Sequence, residues 1–135
     1  MNSLNSRYNI IPQDIILFGE SIGSAATVYL ASEIKFAGVV LQSAFMSGIR
    51  LLYFYERRTW LFDPFPTIER VPTIECPVLV IHGAKDTLVP IKHGFAIYNR
   101  IKYKVEPLWL NNADHNDVRF FEGYYARLES FASSL

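Results

Sequence analysis

A serine hydroxyl is a poor nucleophile until a neighbouring base takes its proton. In this chain Ser21 stands in Gly19-Glu20-Ser21-Ile22-Gly23, a G-x-S-x-G pattern. The apolar run Asp14-Ile15-Ile16-Leu17-Phe18 precedes it, and Ser24 to Ala31 can form a helix after it. A serine on a sharp turn between a buried strand and a helix is a nucleophile elbow, suited to acyl transfer. The pattern predicts a strained backbone at the serine, with residues lacking Cβ on either side so that strand and helix can approach. It also puts the serine at a helix N-terminus, whose partial positive charge favours a developing anion. The backbone N–H of Ile22, just after the nucleophile, is the expected oxyanion donor.

Such a serine needs a histidine, oriented by a carboxylate. Elbow-type enzymes order them serine, acid, histidine along the chain. Pro77-Val78-Leu79-Val80-Ile81 reads as a buried strand, and His82-Gly83-Ala84-Lys85-Asp86 places Asp86 in the loop after it. Glu106-Pro107-Leu108-Trp109-Leu110 reads as another strand, and His115 falls in the loop that follows. Catalytic groups in open parallel sheets collect at the carboxyl ends of strands, which is where Ser21, Asp86 and His115 fall. Plainer roles compete: a helix N-cap for Ser21 and an ordinary turn residue for Asp86. Asp63 is a rival acid, but Phe62-Asp63-Pro64 suits a simple turn. Asp114 and Asp117 lie too near His115 in sequence to orient it easily, and Asp117 reads as the N-cap of the last helix. His82 is expected to be structural, and His93, at a helix start, to sit on the surface or in packing.

These residues require an α/β scaffold. Strands are expected near 14–19, 37–42, 77–82 and 105–110, and helices near 22–32, 91–101 and 117–133. Alternation of strands and helices implies a parallel sheet of about four strands with helices on both faces. In the last helix Val118, Phe121, Tyr125, Leu128 and Phe131 recur at helical spacing, predicting one face packed on the sheet. The aromatic stretch from Phe45 to Phe62 could floor an acyl groove or simply pack on the sheet. Phe45, Met46 and Leu88 are the candidate substrate contacts.

Composition narrows the function. Lys plus Arg and Asp plus Glu number 13 each, giving zero net charge and arguing against a nucleic-acid surface. No stretch approaches the ~18 apolar residues needed to span a bilayer. The first seven residues lack the apolar core of a signal peptide. One cysteine, Cys76, cannot form an internal disulfide and suits a reducing, cytoplasmic setting. No metal-ligand spacing and no phosphate loop appears, so no metal or cofactor is expected. The 135 residues read as one domain.

The chain resembles the C-terminal half of an α/β-hydrolase, and within that superfamily the α/β-hydrolase-domain 17 group of acyl-protein thioesterases. The resemblance rests on Ile15-Ile16-Leu17-Phe18-Gly19-Glu20-Ser21-Ile22-Gly23, on Phe62 to Glu69, on Pro77 to Gly83, on Glu106-Pro107-Leu108-Trp109 and on His115-Asn116-Asp117. It implies Ser21 as nucleophile, Asp86 as acid and His115 as base, acting without cofactor on an acyl ester or thioester such as a palmitoylated protein. Three features depart from the group, one being Asn111-Asn112 in place of a more glycine-containing stretch. Asp114 stands where it usually has glycine before the histidine. The strands that precede the elbow strand there, with the loop giving the second oxyanion donor, are not seen here, so a truncated domain is expected. The elbow strand then becomes an edge that invites pairing, across a homodimer or with the segment Met1 to Pro12. The resemblance also implies peripheral membrane attachment where a longer form carries the group's N-terminal anchor. Three functions follow: protein depalmitoylation, small-ester hydrolysis as a carboxylesterase, and partner binding or dimerisation by a catalytically impaired fold.

Overall fold

The computed structural model describes residues 9–52 and 62–135. Strands β1 (Ile16–Glu20), β2 (Gly38–Gln42), β3 (Val78–Gly83) and β4 (Leu108–Leu110) form one sheet in the order β1-β2-β3-β4. Every neighbouring pair is parallel; Leu17 faces Val39, Val39 faces Val78, and Ile81 faces Leu108. The helices are α1 (Gly23–Glu33), α2 (Gly48–Leu52), α3 (Thr67–Arg70), α4 (Lys92–Arg100) and α5 (Tyr124–Ser133).

β2 and β3 are buried at every position and, Gln42 and His82 apart, without polar alternation, because both of their faces are covered. Val39, Leu41, Val78 and Val80 point to one face, where Val28 and Ala31 of α1, Ile68 of α3 and Ile97 of α4 meet them. Val40, Leu79 and Ile81 point to the other, against Val118, Tyr124 and Phe131. The sheet is thus sandwiched, with α5 on one side and α1, α3 and α4 on the other. Sequence and structure agree on this layering.

Two boundaries move, each for a local reason. β4 begins at Leu108 rather than near 105, since Pro107 has no N–H to give the ladder; upstream pairing is reduced to a Val78–Lys104 bridge. The last helix is not continuous from 117. A 3-10 turn covers Val118–Phe120, Gly123 adopts φ 85°, and α5 starts only at Tyr124. That break sets the register of α5, so Tyr124 is buried whereas Tyr125, expected on the packed face, is exposed. Asp117 therefore does not cap the last helix; its Oδ1 accepts the N–H of Asp114 at 2.6 Å.

β1 has one hydrogen-bonded neighbour among the described residues, and Ile16 and Phe18 remain 37% and 47% exposed. Residues 1–8 of the segment expected to cover it, and Tyr53, Phe54, Tyr55, Trp60 and Leu61 of the aromatic stretch, lie outside the described residues. Among the described residues no helix is long and apolar enough to cross a membrane.

Candidate active site

Ser21 leaves the end of β1 with φ 49°, a conformation costly for a residue with Cβ. The strain is held by bonds on both sides. Its N–H donates to the Gln42 carbonyl at 3.0 Å, extending the ladder by one residue. Its own carbonyl accepts the Ser24 N–H at 3.0 Å and the Ser24 hydroxyl at 2.6 Å. Of the two flanking glycines only the first is sterically required. A Cβ at Gly19 would lie 2.5 Å from Thr27 Oγ1 and 2.8 Å from Ser24 Cα, whereas a Cβ at Gly23 would meet nothing within 4 Å. The expectation that both positions serve a close approach is corrected accordingly.

The candidate acid comes from the loop after β3. Asp86 is buried, and its Oδ1 accepts the N–H groups of Leu88 at 3.0 Å and Val89 at 2.7 Å. This fixes the carboxylate and leaves Oδ2 facing His115 Nδ1 at 2.8 Å. On the other side of the ring, His115 Nε2 lies 3.0 Å from Ser21 Oγ. With Nδ1–H donating to Asp86, Nε2 presents a lone pair to the serine hydroxyl. The structure therefore brings Ser21, His115 and Asp86 into one hydrogen-bonded line. Ile22 follows directly at the N-terminal end of α1.

The rivals are placed elsewhere. Asp63 is buried, but its Oδ1 accepts the Ile49 N–H at 3.0 Å at the start of α2. His82 is fully buried and donates from Nε2 to the Val89 carbonyl at 2.7 Å, closing the acid loop. The same nitrogen is 3.4 Å from Asp86 Oδ2. Burial holds its pKa below the ordinary value, so this contact is one of a neutral ring with a carboxylate. His93 is also fully buried rather than superficial, accepting the Met46 N–H at Nδ1, and burial lowers its pKa to about 4.

The candidate substrate contacts divide. Leu88 is 61% exposed beside Asp86. Phe45 is buried with Ala25 and Val89. Met46 is partly buried and packs on the core cluster of Val28, Val39 and Leu41. An apolar groove of about 550 Å³ is instead lined by Ile22, Ala25, Tyr29 and Leu30 of the elbow and α1 and by Phe65 and Pro66. Its walls come from segments some forty residues apart, so only the small-and-apolar stripe on α1 signals it in sequence.

No family model matches the chain. Over 132 residues it is 43% identical to alpha/beta hydrolase domain-containing protein 17C of Xenopus tropicalis, covering 98% of this chain and 43% of that protein. The human 17C protein is 44% identical over 131 residues, covering 97% and 40%. Protein aho-3 of Caenorhabditis elegans, also named as alpha/beta hydrolase domain-containing, is 45% identical over 95% of this chain and 39% of its own. The chain thus spans about two-fifths of the length of these relatives. Among solved structures, an acetyl xylan esterase from Paenibacillus sp. R4 superposes with a TM-score of 0.79 at 15% identity, covering 98% of this chain and 49% of the esterase. The esterase domain of a Rhodothermus marinus protein gives 0.69 at 20% identity, covering 98% and 62%. The parallel sheet and these matches agree: the chain has part of an α/β-hydrolase fold and is a relative of the alpha/beta hydrolase domain-containing 17 proteins.

Proposed function

We propose that this chain carries the nucleophilic machinery of a serine hydrolase that cleaves acyl esters or thioesters. The observation that supports this most is the line Ser21 Oγ, His115, Asp86, with contacts of 3.0 and 2.8 Å. His115 Nε2 takes the hydroxyl proton as Oγ attacks the acyl carbonyl. The resulting oxyanion is held by the Ile22 N–H at the start of α1. His115 then returns the proton to the leaving alcohol or thiol, and water releases the acyl group by the same route. Each oxyanion donor is worth about 10²–10³ in turnover, so a second donor beyond Ile22 sets the rate strongly.

The resemblance to the 17 group and the apolar groove beside Ile22 favour a long acyl chain, hence depalmitoylation of proteins, over a small ester. A fluorophosphonate probe tests the chemistry: labelling at Ser21, absent in Ser21→Ala, is the expected result, and a folded chain that takes no label refutes it. Faster turnover of a palmitoyl thioester than of an acetyl ester separates the two substrate classes. Among the described residues one edge of β1 is unpaired, which supports a second reading, in which the fold serves for strand pairing with a partner or a second copy. A monomer by light scattering, with fast amide exchange along β1, removes the homodimer.

A further inference from the structure

We propose that Asp114 is a positioning residue of this site, its carboxylate tying the loop that carries His115 to the loop that carries Asp86. The inference rests on the hydrolase reading and on the two loops that this carboxylate joins. Asp114 Oδ1 accepts two backbone N–H groups, that of His115 at 2.7 Å and that of Thr87 at 3.2 Å. One belongs to the residue bearing the imidazole, the other to the residue following the acid. These two bonds also hold the Asp114 pKa below the ordinary value, so the group is a carboxylate throughout the working range.

The tie is supported from behind. Asp117 Oδ1 accepts the Asp114 N–H at 2.6 Å, and the Lys85 N–H donates to the Ala113 carbonyl at 2.9 Å. The two loops are therefore joined by a backbone bond, by the Asp114 bridge and by the Asp86–His115 contact. Glycine at 114 would keep the first and last and lose the bridge. The side chain itself is exposed and touches none of the reacting atoms, so its effect is on the placement of the imidazole. Asparagine retains an Oδ1 acceptor and can replace it, whereas alanine cannot.

The test compares Asp114→Ala and Asp114→Asn in the full chain by two independent readouts. The first is spectroscopic: the His115 Nδ1–H proton resonance and the exchange protection of the Thr87 and His115 amides. The second is the rate of fluorophosphonate labelling, split into probe affinity and maximal rate. In D114A the ring resonance should broaden, both amides should exchange faster, and the maximal rate should fall about tenfold with affinity unchanged. D114N should restore all three. Wild-type resonance, amide protection and labelling in D114A would overturn the proposal, even if its melting temperature fell. A wild-type chain that is not labelled, but whose ring signal is present and is lost in D114A, would refute the hydrolase reading and leave the positioning role standing.

Discussion

Replacing Gly19 by alanine tests the claim that strand and helix meet too closely there for any side chain. Its new Cβ would sit 2.5 Å from Thr27 Oγ1 and 2.8 Å from both Thr27 Cβ and Ser24 Cα. Thr27 can turn away, but Ser24 Cα is backbone in the first turn of α1, so the helix must shift. Overpacking of this kind costs about 1–3 kcal/mol. For a domain of this size that lowers the melting temperature by about 3–12 °C. Adding Thr27→Ala should recover only part of the loss, because the Ser24 contact remains. Gly23→Ala is the internal control. Its Cβ meets open space at the first residue of α1, so it should be neutral or stabilise by up to about 1 kcal/mol through helix propensity. Thermal melts of the four proteins, with fluorophosphonate labelling in parallel, give the comparison. Gly19→Ala should lose both stability and labelling, since moving α1 moves Ser21 and the Ile22 N–H. Equal melting temperatures for the two single variants would show that the close approach, and with it the steric account of the elbow, is wrong.

Two further outcomes follow from the same contacts. Burial first, then the charge of Lys92, lowers the His93 pKa from 6.5 to about 4, so the unfolded chain binds a proton more readily than the folded one. Stability is then full above pH 6.5 and falls as the pH drops toward 4, by up to roughly 3 kcal/mol from this group; urea titrations at stepped pH should show a shallower acid loss in His93→Gln. Gly83→Ala would drive a Cβ into the Ala113 carbonyl, where backbone cannot yield cheaply. It should part the acid loop from the histidine loop and abolish labelling while Ser21 remains intact, and unchanged labelling would refute the packing of those loops.

Much of the placement was legible because it depends on local rules. β2 and β3 hold the apolar runs Val39–Leu41 and Val78–Ile81, and a strand ending in Gly83 or Leu110 delivers its next loop to one edge of a parallel sheet. That alone places Asp86 and His115 near Ser21. What the sequence concealed depends on distances between segments. His93 looks like any polar residue at a helix start; its burial arises because Gly94 lets α4 settle on His82, where a Cβ would come within 2.6 Å of Nδ1. Tyr124 rather than Tyr125 packs inward because Gly123 resets the helix, and a lone glycine in an apparently continuous helical pattern does not announce a positive φ. The Asp114 bridge was hidden for a related reason. Nearness to His115 in sequence argued against a role in orienting the ring, and did not reveal that Thr87 would approach from another loop.

The topology also explains why the ties gather on the histidine loop. β1 and β4 are the two outer strands of the described sheet, three strand spacings apart, or roughly 14 Å. Ser21 need only leave the end of β1, and Asp86 only the end of β3. His115 alone must fold back across the top of β3 and β2 to reach the serine. A loop making that return without support would hold the ring loosely, and a displacement of about 1 Å can cost about 100-fold in rate. The contacts of Gly83 with Ala113, Lys85 with Ala113, Thr87 with Asp114 and Asp86 with His115 all lie along that return path. Ser21 is fixed instead by its own turn, through Gln42 and Ser24. Substitutions between residues 111 and 117 should therefore disturb the proposed relay through the imbalance between a rigidly held Ser21 and a spanning His115 loop, even where they touch neither.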